Sequence, residues 1–89
     1  PAAIVSFGIP IVTPWRNDVK LACMTVGIPP PTVEWRLGDV KLHKQSRIDI
    51  EDDNTLVLRN LQRSQEGNYS CHVKNSIGFD EIVYSLQIQ

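Results

Sequence analysis

The sequence predicts an all-β fold, a sandwich of two antiparallel sheets joined by one disulfide. Three observations carry this. Cys23 and Cys71 bracket one tryptophan, Trp35. Tyr69 stands two residues before the second cysteine, in the run Gly67-Asn68-Tyr69-Ser70-Cys71. Apolar residues alternate with period two in short runs, and no helical period of useful length occurs. A ring buried between two strand-borne sulfurs pins two sheets together, and a tyrosine in that position ties the corner beside them.

The elements follow in order. Ala3 to Phe7 reads as an edge strand, broken by Gly8 and Pro10, with Ile11 to Thr13 continuing it against the other sheet. Proline is tolerated there because an edge strand has spare donors. Asp18 to Val26 turns Val19, Leu21 and Cys23 one way. Gly27-Ile28-Pro29-Pro30-Pro31 is a stiff loop, and Thr32 to Leu37 then presents Val33, Trp35 and Leu37 on one face. Gly38-Asp39 reads as a tight turn. Val40 to Lys44 is short and polar, without an assigned form. Ser46 to Ile50 alternates, Glu51 to Asn54 makes an acidic turn, and Thr55 to Arg59 points Leu56 and Leu58 inward, with Leu61 plugging the corner. Asn68 to Lys74 carries Tyr69, Cys71 and Val73 inward, and Phe79 to Gln89 closes the fold. Seven or eight strands in 89 residues is the spacing of a sandwich.

One domain spanning 1–89 is expected, read as excised from a longer multidomain protein. A domain this small buries only about 60–65% of its unfolded surface. In the chain-entropy model, closing the loop between Cys23 and Cys71 stabilises it by roughly 4 kcal/mol. The cysteines are therefore read as a disulfide, which implies an oxidising compartment. Two buried thiols in a cytosolic protein is the competing reading. Net charge is −1, with no basic stripe to neutralise phosphates, so nucleic acid is not an expected partner. The apolar stretches are too short to span a membrane.

Taken together, the residues resemble the immunoglobulin domains of intermediate (I-set) type. The matching stretches are Gly27-x-Pro29-x-Pro31-x-Val33-x-Trp35, Leu56-x-Leu58 with Leu61, Gly67-x-Tyr69-x-Cys71, Asn75-x-x-Gly78 and Leu86-x-Ile88. Gln65 departs from the pattern, since the family usually has an aspartate there, paired with an arginine on an earlier strand. The resemblance predicts a neutral hydrogen bond between Gln65 and Arg47, or none. Pro1-Ala2, Thr13-Pro14-Trp15, Gly78-x-Asp80-Glu81-Ile82 and Leu86-Gln87 resemble, more narrowly, the Down syndrome cell adhesion molecule (Dscam) family, in the immunoglobulin domain set among its fibronectin type III repeats. That resemblance implies a non-catalytic module of a membrane-anchored neuronal adhesion receptor, on the extracellular side of the plasma membrane. Such receptors recognise their own kind across cells and drive self-avoidance or adhesion. Homophilic matching in that family belongs to domains nearer the N-terminus, so a domain placed like this one spaces or stiffens the ectodomain. Its expected partners are neighbouring immunoglobulin or fibronectin type III domains, with a homophilic contact as a further candidate. Two alternatives remain: a domain of a giant cytosolic muscle-type protein, and a ligand-binding domain of a cell-surface receptor.

Chemistry beyond folding has few candidates. Ser70 and His72 share an outward strand face, about 6–7 Å apart at strand geometry. No evident carboxylate orients the histidine, so acyl-transfer catalysis is not expected. His43 and His72 read as ordinary surface residues. Glu51, Asp52 and Asp53 are consecutive, which is not the alternating ligand spacing of a calcium loop. No metal, cofactor or small-molecule substrate is expected. Asn68-Tyr69-Ser70 is an acceptor sequon for N-linked glycan, with the Asn68 amide facing solvent. Trp35, Tyr69 and Leu58 are assigned to the core. Trp15, Phe7 and Phe79 are the candidate protein-contact residues. Local packing of Trp15 over the end of the sandwich is the other reading.

Overall fold

The computed structural model describes residues 3–4, 10–27 and 29–89. Most of the expected first strand, including the candidate contact residue Phe7, lies outside these. The described strands are β1 (Ala3–Ile4), β2 (Pro10–Thr13), β3 (Val19–Leu21), β4 (Thr25–Val26), β5 (Thr32–Leu37) and β6 (Val40–Lys41). They continue as β7 (Ile48–Ile50), β8 (Leu56–Leu58), β9 (Gly67–Lys74) and β10 (Phe79–Ile88), with one 3-10 turn at Arg63–Gln65.

One sheet runs β2-β10-β9-β5-β6; facing it are β3-β8-β7 and the pair β1-β4. The first strand changes sheets, as expected. Ala3 pairs with Val26, while β2 lies parallel to the end of β10, with Ser85 opposite Pro10 and Ile88 opposite Thr13. Pro10 is the first residue of β2. The first position of an edge strand tolerates a missing N–H.

Two further expectations are corrected. The run Asp18 to Val26 divides into β3 and β4. β8 can follow β3 only as far as Leu21 opposite Leu56, because the chain turns at Asn54; pairing resumes with β1 at Thr25. Ser46 and Arg47 form the two-residue turn between Gln45 and Ile48, so β7 starts two residues late. The strand count accordingly rises to ten short strands among the described residues.

The core forms where the two sheets face each other. Leu21, Cys23, Trp35, Leu56, Leu58, Leu61, Tyr69, Cys71, Val73 and Leu86 are buried there. Cys23 sits in the gap between β3 and β4 and is bonded to Cys71 of β9, which closes a span of 48 residues. Trp35 is the cross-strand neighbour of Cys71, so ring and bridge lie side by side. The indole N–H donates to the Asn54 carbonyl at 2.8 Å, and the ring stacks on Tyr84 with centroids 6.2 Å apart. Tyr84 crosses the sandwich and donates its hydroxyl to the Ala22 carbonyl. That carbonyl lies where the β3 ladder has stopped, and a buried acceptor there needs a partner from elsewhere. The sequence offered no local cue for this cross-sheet bond.

Alternation with inward Leu56 and Leu58 would turn Val57 outward, yet it is buried. Its cross-strand neighbours are Lys20 and Asp49, and Lys44 and Arg59 both reach towards Asp49. The stems of such charged side chains cover apolar surface while their heads stay wet.

Candidate functional site

Strand alternation decides which residues are available for contact. On β10, Ile82, Tyr84, Leu86 and Ile88 face inward, so Phe79, Glu81 and Val83 face out. On β9, Tyr69, Cys71 and Val73 face inward, leaving Asn68, Ser70, His72 and Lys74 on the outer face. Register sets these in rows. Glu81 lies beside His72 and Glu34, and Val83 lies beside Ser70, Arg36 and Lys41. The outer face of the five-stranded sheet is therefore a mixed surface of paired charges, with a shallow depression between Glu34, Lys41, His72 and Lys74. Glu34 bridges to Arg36 and to Lys41. The Arg36 hydrogen bond, followed by the charges of Arg36 and Lys41, holds the Glu34 carboxyl below its usual range.

Ser70 and His72 are closer than their backbone spacing implied. Ser70 Oγ lies 2.8 Å from His72 Nε2, and His72 Nδ1 lies 3.3 Å from Glu81 Oε2. The expected separation fails because the imidazole leans along its own strand. The carboxylate was missed because it comes from a neighbouring strand, whose register no local motif announces. His72 is thus a half-buried, partnered residue, while His43 is exposed as expected. Three members of a hydrolase-like line are present, but Ser70 is buried in the middle of a strand paired on both sides. Its neighbouring backbone N–H groups serve the ladder, so the donors that would hold an oxyanion are not offered here. The line acts as a strut between β9 and β10.

The remaining predicted residues are dispersed. Trp35, Tyr69, Leu58 and the two cysteines are core. Trp15 is 42% exposed, its backbone N–H donates to the Gln89 carbonyl at 2.8 Å, and the Arg16 guanidinium lies 4.1 Å from its ring centroid. It therefore caps the C-terminal pole only in part, under a cation–π contact. Phe79 is 83% exposed and sits at the opposite pole, since it begins the ten-residue strand β10 and Gln89 follows that strand's end. Trp15 and Phe79 form no common patch.

Gln65 makes no side-chain bond to Arg47 among the described residues, the second of the two expected outcomes. Its Oε1 instead accepts from the Gln62 N–H at 2.8 Å. Both residues line a polar hollow with Gln45, Ser46 and Ser64. In the acidic turn, the Thr55 side chain, and after it the Thr55 N–H, hydrogen-bonds the Asp53 carboxyl and holds it below the usual range, and Glu51 pairs with Lys20 at 3.2 Å.

The Tyr69 hydroxyl donates to the Gln65 carbonyl, four residues back. Burial pushes its pKa from 10.0 up to about 12. A tyrosine in the unfolded chain ionises first, so the contribution of Tyr69 is complete below pH 10 and is lost as pH rises towards 12. Thermal melts across that range are expected to fall with pH in the wild type and to fall less steeply in Tyr69→Phe. Parallel curves would contradict this assignment.

Comparison with known proteins agrees with the geometry. The chain is 42% identical over 91 residues to the cell adhesion molecule Dscam2 of Drosophila melanogaster, covering 100% of this chain and 4% of that protein. It is 38% identical over 93 residues to the cell adhesion molecule DSCAML1 of Gallus gallus, covering 100% of this chain and 5% of that one. Extracellular domains 3–5 of Drosophila OTK superpose with a TM-score of 0.91 at 27% identity, over 99% of this chain and 31% of that one. The chain thus spans a small fraction of the curated relatives it matches, both of which are cell adhesion molecules. The immunoglobulin I-set domain model matches residues 8–88, from before the parallel edge strand through the disulfide, the indole and the tyrosine corner to the end of β10, and the chain belongs to that family.

Proposed function

We propose that this chain is a spacer module in the extracellular part of a Dscam-like adhesion receptor. One observation carries the reading. β1 pairs with β4 at the pole of the proline loop, whereas Gln89 leaves at the opposite pole beside Trp15. The long axis measures 39 Å against 24 and 20 Å for the others. A block that receives the chain at one end and releases it at the other builds a rod when repeated. Neighbouring immunoglobulin or fibronectin type III domains are the partners such a rod requires. The C-terminal neighbour would meet Trp15 with Arg16, and the N-terminal one would meet the loops near Phe79. Recognition of like receptors across cells, and the self-avoidance or adhesion that follows, is assigned to other parts of the parent protein. Membrane anchoring belongs to those parts as well.

Sedimentation of the domain across a concentration series tests this. A monomer at tens of micromolar is the expected result, and a dimer in that range would replace the spacer reading with a homophilic one. Phe79→Ser is expected to leave stability within about 0.5 kcal/mol of wild type, as for exposed positions generally. If the same change abolished binding of a soluble factor, the ligand-binding alternative would stand instead. Intact mass separates the muscle-type alternative: the native chain should be two hydrogens lighter than its reduced form.

A further inference from the structure

We propose that Asn68 carries an N-linked glycan whose core sugars cover the half of the outer sheet face nearer the C-terminal pole. The proposal rests on the extracellular reading above. Asn68-Tyr69-Ser70 has the acceptor pattern, and the residue between is not proline. A sequon alone is weak, because it recurs by chance; three features of its surroundings strengthen it.

The first is direction. Tyr69 is buried in the tyrosine corner, so strand alternation turns Asn68 out to solvent, and its side chain is exposed. Among the described residues no hydrogen bond holds its carboxamide. The second is space. Across β10 its neighbour is Ser85, and on the other side the Gly38 N–H donates to the Asn68 carbonyl at 3.0 Å. One neighbour has a short side chain and the other has none. A Cβ placed on Gly38 would meet nothing within 4 Å. A sugar joined to the Asn68 nitrogen thus meets open space on the Gly38 side and only a short side chain on the other.

The third is the surface beside it. Val83 is 46% exposed and lies diagonally across from Asn68, at roughly 7–8 Å for such pairs. Val12, 52% exposed, lies further along the same face, opposite Gln87. These two valines are outward and about half exposed on a face that otherwise carries polar and charged residues and, at its far end, Phe79. N-acetylglucosamine has an apolar ring face and a methyl group that can lie on them. The Phe79, His72 and Glu34 end of the face lies towards the other pole and stays open. Any protein contact on this sheet is thereby confined to that end.

The test is secretion of the chain from a eukaryotic cell, with intact mass and peptide mapping before and after treatment with peptide-N-glycosidase. The expected product is disulfide-bonded, loses one glycan on treatment, shows aspartate at position 68 afterwards, and gives no mass change in Asn68→Gln. A disulfide-bonded product with unmodified Asn68 overturns the glycan and leaves the extracellular reading standing. A product with two free thiols overturns that reading and the glycan with it. Cover of Val83 is read by a double-mutant cycle. The glycosylated chain should melt a few degrees above Asn68→Gln, and the difference should shrink in a Val83→Ser background. An undiminished difference would refute the contact with Val83.

Discussion

Replacing Cys23 and Cys71 together by alanine is expected to lower stability by about 4 kcal/mol, chiefly because the unfolded chain regains the entropy of an open loop. The bond spans 48 residues, more than half the chain, and both sulfurs are fully buried. A domain of this size has a net stability near the low end of 5–15 kcal/mol. The double variant is therefore expected to be substantially unfolded at 37 °C, a common result when a small secreted domain loses its bridge. Urea titrations at lower temperature give the measurement. A loss below about 1 kcal/mol would mean that the sheets hold together without the bridge.

Trp35→Ala is the second large effect, with an expected loss of about 3–5 kcal/mol. The indole is 1% exposed and stacks on Tyr84. Its loss opens a cavity in the middle of the core and strands the Asn54 carbonyl, whose residue is held at φ 70 by the turn after Asp53. Trp35→Phe separates the two causes. It keeps most of the ring volume and removes the donor, so its cost should be the smaller, about 1–3 kcal/mol. Trp35 and Cys71 are cross-strand neighbours, so these losses should not add. A coupling of at least about 0.5 kcal/mol is expected between Trp35→Phe and removal of the bridge. Strict additivity in equilibrium unfolding would show that ring and disulfide do not support each other.

Much of the architecture was legible because its signals are local. Alternation over Thr32 to Leu37 depends on each residue's own polarity, and β5 has those bounds, with Trp35 buried and Val33 and Leu37 packed against the core. The Gly38 turn follows from a backbone at φ 58, which glycine adopts without strain. Boundaries were less legible where a strand depends on its partner. The division into β3 and β4, and the late start of β7, follow from where β8 ends and where Gln45 meets Ile48. Among candidate site residues, Asn68 was placed correctly because its neighbour Tyr69 fixes its direction. The environment of His72 was not, because Glu81 reaches it from another strand.

By itself the sequence determined the class of the fold, the inward residues of its long strands and the pairing of its two cysteines, since period-two burial and a two-cysteine chain leave few alternatives. Only the tertiary structure decided that Tyr84 closes the gap at Ala22 and that Ser70, His72 and Glu81 join into a strut. The physical reason is register. Which residues meet across strands depends on how far each strand slides along its neighbour, and that is set by packing of the whole sandwich and not by any one segment.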